Sequence, residues 1–189
     1  MSRLPPPRDL EAPIPVLVRE LVEHLGGAPF VAVCTDLLGG ADRGEHLLVL
    51  PYLTGHTFAD GDATRDPDTW PDLWVRAWGA RGLLHVWDDL ASDAVVAGLG
   101  DVDWRPAEMC LKVAARHEVG GAGDGAARLA THELPRVRTH AMRALGAVGD
   151  TEHVEVVRER LDDEHADVRR AAARALERLA MRLDLEPIP

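Results

Sequence analysis

A 31-residue period constrains this chain more than any other feature. Segments 75–86 (VRAWGARGLLHV), 106–117 (PAEMCLKVAARH), 137–148 (VRTHAMRALGAV) and 168–179 (VRRAAARALERL) start 31 residues apart. Their first position holds Val75, Pro106, Val137 and Val168. A second column is apolar: Leu83, Ala114, Leu145 and Leu176. A third is basic: Arg81, Lys112, Arg143 and Arg174. A spacing met four times, with apolar and basic columns both kept, predicts one supersecondary unit per period. Each period contains two amphipathic segments. In the last period Val154, Val157 and Leu161 recur at helical spacing in the first segment. Val168, Ala171 or Ala172, Ala175 and Leu179 do so in the second. Asp162-Asp163 parts the two segments, and Gly149-Asp150 parts this period from the one before. No stretch sustains the apolar–polar alternation of a strand.

A helix pair of this length cannot bury its own apolar face, so it must stack on its neighbours. The small side chains of Ala171, Ala172, Ala173 and Ala175 allow close approach of adjacent helices. The expected fold class is therefore all-α, an α-solenoid of about five stacked antiparallel helix pairs. Residues 1–13 read as a Pro-rich extended leader and 14–183 as a single α-solenoid domain, followed by a tail over 184–189. Within that domain, 14–69 are degenerate or capping repeats and 70–183 are regular. Helical patterns run over 14–25, 29–38 and 45–53, punctuated by Gly26-Gly27 and Gly39-Gly40. Residues 54–69 form a long acidic loop without periodicity. Thr69 and Asp72, with Pro71 in the first turn, predict a capping box for the helix that follows.

The segments VRRAAARALERL and VRTHAMRALGAVGD, at their 31-residue spacing, resemble HEAT repeats. The closest type is the short bacterial form first associated with phycobilisome lyases. The resemblance is strongest over 134–183. It implies an α-solenoid whose second helices line a concave face, and protein–protein interaction as the commonest role. Val137, Val168, Leu145 and Leu176 match the motif as packing positions. Pro106 stands where the pattern has Val, which leaves the start of that helix open.

Charge narrows the partners. The chain has 21 basic and 32 acidic side chains, a formal net charge of -11. That balance opposes sequence-independent nucleic-acid binding, which needs many phosphate contacts. With 46% hydrophobic and 28% charged residues, a packed core is expected. Lys112 is the sole lysine, so the basic residues are otherwise arginine. Cys34 and Cys110 form no CxxC pair and read as reduced core thiols. The Pro-rich start has no apolar signal region, and no apolar run reaches the ~18 residues of a membrane span. The expected location is cytoplasmic, with no membrane.

Four candidates for chemistry follow. The basic column Arg81, Lys112, Arg143 and Arg174 falls off the apolar stripe and could form a ladder for an acidic peptide or phosphates. Glu108 lies four residues before Lys112, and Arg170 four before Arg174, so one rung is neutralised and another reinforced. Trp70, Trp74 and Trp78 share one helix side. Trp78 aligns with core positions and reads as core, whereas Trp74 aligns with polar ones; the alternative, an aromatic surface for a partner or a flat ligand, adds Trp74 and Trp78 to the candidate binding surface. Gly79 and Gly82 in the same helix suggest that rings or a neighbouring backbone need the space. The loop acids Asp60, Asp62, Asp66 and Asp68 fail the EF-hand pattern, because Arg65 and Pro71 stand where Gly and Glu are required. The nine histidines form no metal-binding motif. The expected function is a non-enzymatic scaffold or adaptor that binds another protein through its concave face. No cofactor, metal or catalytic residue is assigned. Two alternatives carry a looser resemblance. Trp87 with Asp88, Asp89 and Asp93 is similar to the Trp and Asp set of alkylpurine DNA glycosylases, which also use HEAT-like repeats. The short repeats themselves are similar to those of bilin lyases or isomerases.

Overall fold

The computed structural model describes residues 4–185. Positions 1–3 of the expected leader and 186–189 of the expected tail lie outside the described residues. The described residues contain ten α-helices and no strand. They run α1 Ile14–Leu25, α2 Gly27–Leu38, α3 Leu50–Thr54, α4 Leu73–His85 and α5 Ser92–Gly98. Then come α6 Trp104–His117, α7 Gly123–Leu129, α8 Pro135–Val148, α9 Val154–Glu159 and α10 Ala166–Leu183. The fold class is all-α, an α-solenoid of helix pairs.

The period survives in the helix boundaries. Helices α4, α6, α8 and α10 begin at residues 73, 104, 135 and 166. Helices α5, α7 and α9 begin at 92, 123 and 154. Each series therefore advances by 31 residues. Pro106 does not disturb it. It sits in the first turn of α6, where a missing N–H costs no intrahelical bond. The turns before the second helices also repeat. Asp101, His132 and Asp163, again 31 apart, each accept a hydrogen bond from the backbone N–H two residues on. Such side-chain turns stop one helix and aim the next.

The chain divides into two compact units, residues 1–94 and 95–189. In the first unit α2 lies along α4, and α1 packs on α3. Its core holds Leu17, Leu21, Phe30, Leu37, Tyr52, Leu53, Trp78 and Leu83, each with at most 2% of its surface exposed. Tyr52 reaches outward to donate its hydroxyl to the Pro5 carbonyl at 2.9 Å, tying the leader down. Close approach of α2 and α4 depends on the two glycines singled out above. A Cβ at Gly79 would lie 2.5 Å from the Cys34 carbonyl oxygen, and one at Gly82 would strike the Cys34 sulfur.

Two local expectations in this unit are corrected. The helix expected over 45–53 is instead a 3-10 turn, Arg43–His46, followed by the short α3. Pro51 has no N–H to donate and is accommodated only at a helix start. The capping box of Thr69 and Asp72 does not form. The Thr69 hydroxyl bonds the Asp66 carboxylate at 2.9 Å, and Asp72 makes no side-chain cap on α4. Asp72 is taken instead by Arg43, which is buried and needs a counter-charge, at 2.5 Å.

In the second unit α8 lies between α6 and α10 and packs against both. Helix α7 packs on α8, and α9 on α10. Three second helices therefore share one layer, in the order of the sequence. Val137, Ala141, Met142, Leu145, Val168, Ala172 and Leu179 fill the space between them, fully buried. Arg138 locks one period to the next. Its guanidinium holds both oxygens of Asp163 at 2.8 Å and donates to the His132 and Glu133 carbonyls at 3.0 Å. One period later Arg169 donates to the carbonyls of Asp163 and Glu164 in the same way.

Candidate functional site

The exposed side of the α6–α8–α10 layer is built from positions that the period aligns. Arg105, Arg136 and Asp167 occupy the second residue of each helix, and Lys112, Arg143 and Arg174 the ninth. The column of cations thus falls on one layer of the second unit for three of its four members.

The first rung is neutralised internally. Glu108 has no exposed side-chain surface and is ringed by cations. Arg105 approaches it at 2.5 Å, Lys112 at 2.8 Å and Arg136 at 2.9 Å. The guanidiniums of Arg105 and Arg136 also stand 5.6 and 5.0 Å from the Trp104 ring centre, within cation–π range. Burial alone works to raise the Glu108 pKa. Hydrogen bonds from Lys112, Arg136 and Arg105 outweigh it and hold the carboxyl at about 2. His140 lies 3.4 Å from the same carboxylate. Burial, with the charges of Lys112 and Arg143, nevertheless pushes its pKa down to about 4, so it is neutral at pH 7.

That depression has a signed consequence. In the unfolded chain His140 takes up its proton at the ordinary value of 6.5, but in the folded chain only near 4. The unfolded state therefore binds more protons between those values, and stability falls as pH drops through that window. We expect His140→Gln to remove about 1–2 kcal/mol of the stability lost between pH 7 and pH 4.5. Urea unfolding of both proteins at the two pH values measures this. Equal pH dependence would contradict the assignment.

The later rungs differ. An open groove of ≈460 Å³ runs between α8 and α10. Its walls carry Arg143, Arg170, Arg174 and Arg178, with Asp167 as the lone acid. Its floor is Gly146, Ala171 and Ala175. The two backbones nearly touch there. A Cβ on Gly146 would stand 2.9 Å from the Ala175 Cα. Arg170 pairs with Asp167 one turn before it. Arg178 reaches Glu118 only at 3.9 Å, and Arg143 meets the neutral His140 at 3.4 Å. Arg174 is exposed and has no ion pair or hydrogen bond among the described residues.

The other sequence candidates lie in the first unit. Arg81 donates to the Leu53 carbonyl at 3.3 Å. Trp78 is 2% exposed, with Phe58 edge-on at 5.9 Å and Trp70 at 5.4 Å. It is core, and its burial removes it from any binding surface. Trp74 is half-buried against Trp70, at 6.4 Å between ring centres. The structure thus joins Arg143 and Arg174 in one groove, turns Lys112 inward to Glu108, and keeps Trp74, Trp78 and Arg81 within the first unit. Sequence reading missed Arg178, although its spacing of four from Arg174 extends the run from Arg170. It also missed Arg105 and Arg136, whose place on Trp104 no local pattern announces.

The acidic loop uses its own carboxylates. Asp62 accepts from the Thr57 hydroxyl at 2.6 Å and the Ala59 N–H at 2.8 Å. Asp66 accepts from the Asp68 N–H and Thr69, both at 2.9 Å. Those bonds hold both carboxyls below their ordinary pKa. Near α5, Asp88 caps the Leu90 N–H, and Asp89 takes the Trp87 indole N–H, each at 3.0 Å. Neither Cys34 nor Cys110 reaches solvent, and burial pushes both thiols far up from their ordinary pKa. Among the described residues no group of three His, Cys, Asp or Glu is placed to hold a metal ion. No single helix there is long and apolar enough to cross a membrane.

Comparison with known proteins agrees with this architecture. Residues 124–186 match the family model described as HEAT repeats. No curated protein matches the chain. Two crystal structures of engineered proteins from the Northeast Structural Genomics Consortium share the fold. One aligns with a TM-score of 0.52 at 18% identity, covering 94% of this chain and 88% of the other. The second aligns with a TM-score of 0.56 at 18% identity, covering 91% of this chain and 88% of the other. Together the 31-residue helix pairs, the match of residues 124–186 to HEAT repeats and the shared fold show an all-helical repeat architecture that is HEAT-like over its C-terminal third.

Proposed function

We propose that the chain is a non-enzymatic adaptor of the cytoplasm that holds an acidic segment of a partner protein on the exposed side of α6, α8 and α10. The observation that carries this reading is the arginine groove. Four arginines and one aspartate converge there in a chain whose net charge is -11. A cationic groove on an acidic protein steers complementary segments to one place and repels them elsewhere. Its small-residue floor lets a partner's backbone lie close to the helices. The same overall charge works against long polyanions, whose binding needs many simultaneous phosphate contacts.

Charge reversal tests it. Tagged protein is used to recover partners from the cells that make it, alongside the double variant R143E/R174E and the control R158E on α9. The wild type and R158E are expected to retain a common protein that R143E/R174E loses, by at least about tenfold. Retention of the same proteins by R143E/R174E would contradict the reading.

A further inference from the structure

The period shows what kind of ligand the groove lacks a substitute for. On α6 the column cation Lys112 is answered by Glu108, four residues earlier, at 2.8 Å. The positions equivalent to Glu108 are Thr139 on α8 and Arg170 on α10. So Arg143 and Arg174 occupy the place of Lys112 without the carboxylate that serves Lys112. The Thr139 hydroxyl is already committed to the Pro135 carbonyl at 2.9 Å. Arg170 adds a further positive charge, which Asp167 offsets.

We propose that this groove takes the phosphomonoester of a phosphorylated serine or threonine in an extended segment of the partner protein, with Arg143 and Arg174 as its two principal contacts. The inference rests on the adaptor reading above and names the chemistry of the segment. Three guanidiniums, those of Arg143, Arg174 and Arg178, face the groove without a close carboxylate. One side-chain carboxylate brings a single charge and two oxygens. A phosphomonoester brings close to two charges and three acceptor oxygens on one atom, enough to engage guanidiniums from both helices. The approach of α8 to α10 at Gly146 and Ala175 brings Arg143 and Arg174 to facing walls of the same groove. A phosphosegment meets only this local field. A nucleic acid would extend its charge over the rest of an acidic chain.

The test follows the arginine Nε–H resonances of the full chain by NMR at physiological salt. The probes are a ten-residue neutral peptide with one central phosphoserine, the same peptide with serine or glutamate there, inorganic phosphate, and a duplex oligonucleotide. We expect the phosphopeptide to shift Arg143 and Arg174 saturably. The glutamate peptide and inorganic phosphate should bind at least about tenfold more weakly, and the serine peptide not measurably. R174Q should weaken the phosphopeptide about tenfold. R170E, which places a carboxylate four residues before Arg174 as Glu108 precedes Lys112, should abolish the shift while circular dichroism stays unchanged. If glutamate and phosphoserine peptides bind alike, the phosphate assignment falls and the acidic-partner reading stands. If no peptide shifts either arginine, both fall. Tighter binding of inorganic phosphate or of the duplex than of the phosphopeptide also overturns the proposal.

Discussion

Replacing Asp163 by alanine is expected to destabilise the protein by about 3–5 kcal/mol, the largest single effect foreseen for this chain. Asp163 is a buried acid whose two oxygens both hold Arg138. Arg138 is itself 6% exposed, and once the carboxylate is gone only the exposed Glu164, at 3.2 Å, is left to answer its charge. The aspartate also accepts the His165 N–H at 2.9 Å, which sets the turn into α10. Removing it therefore takes away the buried, two-oxygen partner of Arg138, leaves a single exposed carboxylate in its place and frees a turn at once. Its pKa is already held below the ordinary carboxylate value, first by the Arg138 hydrogen bond. The double variant R138M/D163L should recover much of the loss, because an apolar pair leaves no buried charge unmatched. Urea denaturation of the single and double variants measures both claims. A single variant as stable as the wild type would show that the pair does not join the periods.

The second large effect is Gly79→Ala. Helix propensity alone would favour alanine by about 1 kcal/mol. The added Cβ, however, would sit 2.5 Å from the Cys34 carbonyl oxygen and 2.7 Å from the Leu38 nitrogen. Those are backbone atoms of α2, so no side-chain rotation relieves the contact. Helix α4 must move off α2, and the strain of overpacking, about 1–3 kcal/mol or more, outweighs the propensity gain. We expect a net loss of about 2 kcal/mol, read as a lower unfolding midpoint. Gly27→Ala is the matched control. It lies in α2 with nothing within 4 Å of a built Cβ, so there the propensity term stands alone and the variant should be neutral or slightly more stable. Equal effects of the two substitutions would remove the close α2–α4 approach from the account.

These two sites also show what the sequence made readable. Gly79 and Gly82 were legible because glycine inside a helix has a cost that something must offset, and the backbone of α2 is that something. The second-helix starts were legible because apolar columns fix which face is buried, whatever the loops do. Pro106 left the start of its helix open because it stands where the pattern has Val. With α6 beginning at Trp104 the proline falls in the permissive first turn. The failures have a common cause. Asp72 looked like a cap partner for Thr69 because local spacing says so. A buried arginine 29 residues earlier claimed it, and no local pattern reports that. Asp163 was readable as a break between segments, but its pairing with Arg138, 25 residues away, was not, for the same reason. The groove was half legible. The period placed Arg143 and Arg174 together and showed Arg170 where α6 has Glu108, but the groove's depth comes from the close approach of Gly146 to Ala175, which no spacing reports.

The account turns on α8 and α10 meeting in one register, since that register forms the groove floor and aligns its arginines. The direct measurement is a carbon-edited NOE spectrum of the uniformly labelled protein. A Cβ built on Gly146 stands 3.1 Å from the Ala175 methyl carbon, so the corresponding Gly146 Hα must lie against that methyl group. A strong Gly146 Hα to Ala175 methyl cross-peak is the predicted result. Its absence, with Gly146 instead contacting a residue a turn or more away along α10, would contradict the register and the groove built on it.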